Sequence, residues 1–387
     1  MKKTLILASV LSAFAISAQA QSSVTLYGSL DAGILYANNA GGHSLWQQGS
    51  GAMSYNYFGL RGAEDLGGGL KAIFTLESGF DLNSGRYHNG DTGFNRQSYV
   101  GLQSDKYGTL TLGRQYDSVV DYLSPLSATG SGFGNNLAGH PFDNDNLAQS
   151  FSIKNSAKYA SANYAGLKFG GLYGFSNDAN GFSNGRAWSV GASYGNGPLN
   201  VAAAYLQTNN SGGLSSASSA ASADQNISAR LQRTYGVGAN YTYGPANVGF
   251  VWTHSQIDGV SSLASGGMSL PGLNGLNLHL DNYEINGAYH LSPALSLVGS
   301  YTFTDGTVTG NGSGNGSPKW HTVMVGTDYL LSKRTDVYLT GVYQHTSGSL
   351  GENPDGSGIA NVAAINMLSP SSTNNQIAAT VGLRHRF

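Results

Sequence analysis

The run Gln376-Ile377-Ala378-Ala379-Thr380-Val381-Gly382-Leu383-Arg384-His385-Arg386-Phe387 alternates with a strict period of two. Ile377, Ala379, Val381, Leu383, His385 and Phe387 fall on one face, and Ala378, Thr380, Gly382, Arg384 and Arg386 on the other. Side chains alternate across a β-strand, so this segment is a strand with one apolar side and one wet side. The wet side carries two arginines, and the apolar side closes on an aromatic ring. Behind a secretory leader, such a strand predicts the closing strand of an outer-membrane β-barrel.

The leader is expected over residues 1–20. Lys2 and Lys3 give its positive start, Leu5 to Ile16 its apolar stretch, and Ala18-Gln19-Ala20 a cleavage site of A-x-A type. The apolar stretch is too short for a spanning helix, and no later segment approaches the length one needs. Residues 21–387 are expected to form one barrel domain crossing the outer membrane many times. Removing Lys2 and Lys3 from 19 basic residues leaves 17 against 21 acidic ones, a balance that argues against nucleic acid as a partner. The absence of cysteine means that a secreted chain of this size is held without disulfides.

Other segments repeat the alternation. Val24, Leu26, Gly28, Leu30, Ala32, Ile34 and Tyr36 make one apolar face; Leu295, Leu297, Gly299, Tyr301 and Phe303, and Val337, Leu339, Gly341 and Tyr343, make others. Aromatic residues tend to close these faces, as in an interfacial girdle. Short turn-forming connections such as Asn196-Gly197-Pro198 and Leu331-Ser332-Lys333-Arg334 alternate with long Gly/Ser/Asn-rich ones such as Asn209 to Ala229, Gln256 to Asn277 and Thr346 to Gln376. The pattern predicts an all-β transmembrane antiparallel barrel of about 16 strands. With only every second strand residue apolar, the expected interior is a water-filled lumen with no apolar core.

Several stretches together resemble the Gram-negative general porin family. They are Ser22-Ser23-Val24-Thr25-Leu26-Tyr27-Gly28, Phe58 to Ala72, Arg96-Gln97-Ser98-Tyr99-Val100-Gly101-Leu102, Gly108 to Tyr116, and Gly382-Leu383-Arg384-His385-Arg386-Phe387. The resemblance implies a homotrimer of sixteen-stranded barrels in outer-membrane lipid, each with its long third loop folded into the lumen as a constriction. It also implies that the strand ending at Phe387 looks like the tag read by the membrane-insertion machinery. Two positions depart from the family. Tyr57 stands where an arginine is frequent, and Gly130-Ser131-Gly132-Phe133-Gly134-Asn135-Asn136 stands in place of an acid-bearing run.

A pore selects by diameter and by the charges lining it. Arg61 shares a face with Tyr57, Gly59 and Ala63, and Lys71 and Glu77 share one with Ile73 and Thr75, opposite apolar faces in both cases. A charge on the lipid side near midplane costs about 2–4 kcal/mol, which turns these residues inward. Lys154 and Lys158 share parity on the strand after the third loop. Simple alternation sets Arg96 beside Val100 and Arg114 beside Leu112, on the apolar faces. The resemblance places both in the pore wall, a bulge would reconcile the two readings, and a rim position is the alternative. Asp117 and Asp121 are the acids chosen from the third loop. Asp143-Asn144-Asp145-Asn146 lacks the rest of a calcium-loop pattern and reads as a solvated loop or a latch to the wall. The excess of basic candidates predicts a weakly anion-selective passage for small hydrophilic solutes and ions, needing no cofactor or metal.

Gly191-Ala192-Ser193-Tyr194-Gly195 and Gly181-Phe182-Ser183-Asn184-Gly185 match a hydrolase pattern, but neither lies on a strand-to-helix elbow. An enzyme is therefore not expected. The competing readings are a channel with a saturable site for one class of anionic solute, and a barrel-type surface adhesin or enzyme.

Overall fold

Sixteen antiparallel strands close a ring in the computed structural model, which describes residues 23–88, 92–131, 134–179, 181–211, 219–220, 226–265, 268–269, 274–310, 315–352 and 358–387. The leader expected over residues 1–20 lies outside them. The first strand is β1 (Ser23–Ala40). β2 comes in two pieces, His43–Ser50 and Tyr57–Gly67. Next are β3 (Leu70–Gly79), β4 (Gln97–Ser104), β5 (Gly108–Gln115), β6 (Ile153–Ala160), β7 (Leu167–Gly174) and β8 (Ala187–Asn196). The longer strands come after these: β9 (Leu199–Ser211), β10 (Ile227–Tyr243), β11 (Ala246–Ser265), β12 (Asn277–His290) and β13 (Leu295–Thr309). The ring ends with β14 (Lys319–Leu330), β15 (Thr335–Ser347) and β16 (Asn375–Arg386).

The closing seam pairs β1 with β16 from Ser29↔Arg386 to Ala37↔Ala378. Phe387 and Gly28 then exchange backbone hydrogen bonds, each of 3.1 Å. A Cβ on Gly28 would lie 2.6 Å from the Phe387 ring, so only glycine leaves room for the terminal aromatic. Closure matters because an open strand edge cannot be satisfied in lipid.

Burial follows the alternation. On β12, Asn282, Glu284 and Asn286 are buried while Tyr283, Ile285 and Tyr289 are exposed. On β16, Ile377, Val381 and Leu383 face out, and Gln376, Thr380 and Arg384 face in. Exposed side chains are thus the apolar ones and buried side chains the polar ones, the reverse of a soluble sheet.

Two features differ from the sequence reading. β11 continues to Ser265, well into the stretch expected to be loop from Gln256. Its partner β10 continues the ladder as far as Ile227↔Leu263, while β12 pairs with it only up to Ile257↔Leu278, and Ile257, Val260, Leu263, Leu278 and Leu280 pack together in one buried cluster. The interior is also not free of apolar packing. Three buried clusters hold inward-facing wall residues against internal segments: Trp320 and Leu278 against Phe142, Met324 and Val342 against Leu137 and Ile365, and Leu206 and Val251 against Leu123 and Leu147. Only every second wall residue needs to be polar where water meets it, and these patches are covered by chain instead.

Candidate functional site

Most of the cover on those patches comes from residues 116–152 between β5 and β6, the third connection on its rim of the barrel. Its path is set by local hydrogen bonds. Asp117 accepts from the Val119 amide at 2.7 Å and opens a short helical turn, Val119–Leu123. Asn135 caps the turn Asn136–Ala138 through the Leu137 amide at 3.0 Å. Phe142, Asp143, Asn146 and Gln149 all adopt positive φ, an uncommon backbone for non-glycine residues. Asp143 supports that stretch by accepting from the amides of Ala148 and Ser150 at 2.9 and 3.1 Å.

The loop is tied to the inner wall over most of its length. Ser118 bonds Ser189 on β8, Asn144 bonds Asn282 on β12, and its carbonyl accepts from Gln232 on β10 and Ser255 on β11. Asn135 donates to Thr340 on β15, and Asn286 on β12 donates to the Leu126 carbonyl. One tie is ionic. His140 is buried with Nδ1 2.6 Å from Asp145 and Nε2 3.1 Å from Glu284 on β12. Glu284 also accepts from the Ala128 amide at 2.8 Å, so one wall carboxylate holds the loop at two points. Burial works against the charge of His140, but Asp145 and Glu284 outweigh it and push its pKa up to about 10. Burial pushes Asp117 and Asp143 up to about 6, the second with help from Asp145.

The free edge of the loop leaves three adjoining cavities along the interior. The first, of about 340 Å³, is lined by Tyr55, His88, Arg96, Tyr116 and Gln149. The second, of about 200 Å³, shares Tyr55, Arg96 and Gln149 with it and adds Tyr57, Ser131 and Arg384. The third, of about 750 Å³, shares Ser131 and Arg384 with the second and opens towards the short turns at Pro293 and Lys333.

At the junction of the first two, Arg96 Nε lies 2.6 Å from Glu77 and its terminal nitrogen donates to Gln149 at 3.2 Å. Its guanidinium carbon is 4.8, 5.5 and 5.8 Å from the ring centres of Tyr57, Tyr116 and Tyr55, within cation–π range. Tyr27 donates to the other Glu77 oxygen at 2.9 Å. At the junction of the last two, Arg384 and Arg386 converge on Asp336 at 3.1 and 2.6 Å.

Of the nine residues chosen from sequence, Arg96 lines the first two cavities and Glu77 is bound to it. The others line none of the three. Arg61 stacks over Tyr27 at 5.1 Å, and Lys71 meets Asp105 at 3.7 Å beside a short turn. Asp117 is buried inside the loop, with Asn146 donating to it at 2.7 Å. Asp121 pairs with Lys158 at 2.6 Å, fastening the loop to β6, and the Lys154 amide bonds the Ala220 carbonyl. Arg114 donates to Ser152 at 2.7 Å. Beside it Gly113 takes a φ of 142°, and the β5–β6 register slips between Gly113 and Gln115, the irregularity that simple alternation lacks. Arg384, Tyr55 and Ser131 line the cavities and are not among the nine. Inward parity is a signal for Arg384; nothing in the sequence marks the other two.

Residues 7–349 match the family described as Gram-negative porin. An outer membrane porin protein of Bordetella pertussis is 32% identical over 421 residues, covering 100% of both chains. Outer membrane porin protein 32 of Delftia acidovorans is 37% identical over 54% of this chain and 60% of its own. Among solved structures, an anion-selective porin from Comamonas acidovorans superposes with a TM-score of 0.71 at 23% identity, covering 95% of this chain and 100% of that one. The trimer form of OmpT from Vibrio cholerae superposes at 0.63 with 17% identity, covering 95% and 99%. At such identities the likeness is one of fold.

Proposed function

The chain belongs to the Gram-negative porin family and is an outer-membrane channel, not an enzyme, and from that premise we propose that its three cavities form one aqueous path for passive diffusion of small hydrophilic solutes and ions, weakly selective for anions. One observation carries the selectivity. The smallest of the three is lined by two guanidinium groups, Arg96 and Arg384, and by no carboxylate among the described residues. Their counter-charges, Glu77 and Asp336, lie behind them in the wall, so an entering ion meets the cationic side first. The anion-selective character of the Comamonas acidovorans porin points the same way. In a planar bilayer under a salt gradient, the reversal potential should favour chloride over potassium; a cation-favouring potential overturns the reading.

Homotrimerisation is part of this proposal. The strands β4 and β5 turn Val100, Leu102, Leu110 and Leu112 outward with no exposed aromatic within either strand, whereas Tyr283, Tyr301 and Tyr343 mark the opposite wall. Aromatic residues suit a lipid–water boundary, and a wall lacking them suits contact with another copy. Crosslinking in native outer membranes should give a three-chain species. Residues 1–20 act as the leader, and the seam at Phe387 serves as the insertion signal. Deleting Phe387 should lower the amount assembled in the membrane while leaving the unit conductance of assembled channels unchanged.

A further inference from the structure

Beneath the third loop the lumen widens into the cavity of about 750 Å³, and its wall carries both signs of charge. Arg386 is 39% exposed there, with one terminal nitrogen on Asp336 and the rest of its five donors available. Lys333, on the exposed turn between β14 and β15, has no ion-pair partner among the described residues and also lines the cavity. Facing the same space is Asp328. Its Oδ1 is buried without a hydrogen-bond donor, and its Oδ2 stands 3.7 Å from Arg384, too far for a hydrogen bond. The side chain as a whole is partly buried and lines the cavity, with Arg384 its one cationic neighbour within 4 Å among the described residues, so Oδ2 has room for a further donor.

A simple anion would satisfy Arg386 and Lys333 but leave Asp328 without a donor. A simple cation would do the opposite and meet two positive groups. A solute with both groups answers both sides. Resting on the lumen being a solute path, we propose that this cavity is a binding subsite for small zwitterions, α-amino acids being the simplest. Their carboxylate lies on Arg386 and Lys333, and their ammonium donates to Asp328. Asn240, Thr242 and Asn247 supply neutral polar contacts around the body of the solute. The subsite stands in series with the narrower cavity above it, so an occupant interrupts ion flow until it leaves.

The test uses the purified full chain in planar bilayers, with potassium chloride conductance recorded first. No conductance at that stage counts against the porin reading, independently of the subsite. L-alanine, propionate and ethylammonium are then added to both sides as probes. L-alanine should interrupt the current at roughly tenfold lower concentration than either single-charge probe, about the effect of one charge-assisted hydrogen bond. Asp328→Asn should bring L-alanine down to the level of propionate, and Lys333→Gln should weaken L-alanine and propionate together. Equal block by L-alanine and propionate in the unaltered protein overturns the proposal, as does an undiminished L-alanine advantage in Asp328→Asn. Should Asp328→Asn fail to form channels, Lys333→Gln decides: unchanged block by both carboxylates overturns it.

Discussion

The inner faces of β8–β12 and of β1–β4 arise from the same alternation, yet one wall is covered and the other is open. On the first, Ser189, Gln232, Ser255, Asn282, Glu284 and Asn286 all turn inward and all bond the third loop. On the second, Tyr57 and the Arg96–Glu77 pair border the remaining space. Inward polarity alone therefore does not make a residue part of the passage. What separates the two walls is where a loop with its own apolar side chains settles. Leu123, Leu137, Phe142 and Leu147 have complementary apolar patches on the wall to cover, and burying such side chains stabilises by about 1.5–3 kcal/mol each.

Breaking the covered wall should have the largest effect. His140→Ala leaves Asp145 and Glu284 as buried charges without their partner, a loss of about 3–5 kcal/mol. Unfolding in detergent should become easier and single-channel conductance should rise as the loop loosens; unchanged conductance would show that the loop's apolar contacts suffice. Alkali should weaken the same tie. With its pKa raised in the folded state from 6.5 to about 10, His140 contributes fully below pH 6.5, and the contribution fades until pH passes about 10. Asp117 and Asp143, raised to about 6, act in the same direction, since their ionisation between about pH 4 and 6 also disfavours the packed loop. Melting temperature measured from pH 6 to 11 should fall, and His140→Ala should flatten the part above pH 6.5.

On the open wall, substitutions should alter selectivity more than stability. Arg96→Ala should move the reversal potential towards cations, and Glu77→Gln should move it further towards anions. Matching shifts from both would contradict the role given to the pair. The smallest effect belongs to a single tie of the loop to β15, outside the wall formed by β8–β12. Thr340→Val removes the acceptor for Asn135, worth about 1 kcal/mol, and should raise open-channel noise with little change in mean current.

Alternation along single strands is enough to read the barrel, its closing seam and the direction in which Arg384 points, because the period of two is a local property of the extended chain. The Asp143-Asn144-Asp145-Asn146 run reads equally as solvated or as a latch, and its contacts to β10, β11 and β12 make it a fastening. The inner lining is harder to read. Arg61, Lys71, Lys154 and Lys158 have reasonable parity, but parity does not say at which height a side chain lies or whether a loop covers it. Likewise, Arg96 precedes β4 and Arg114 sits beside the slipped register at Gly113, so strict alternation assigns both to the wrong face of an ideal strand. The contents of the lumen depend on contacts between residues far apart in the chain, such as Ala128 with Glu284 and Asn135 with Thr340, and only the packed barrel brings those together.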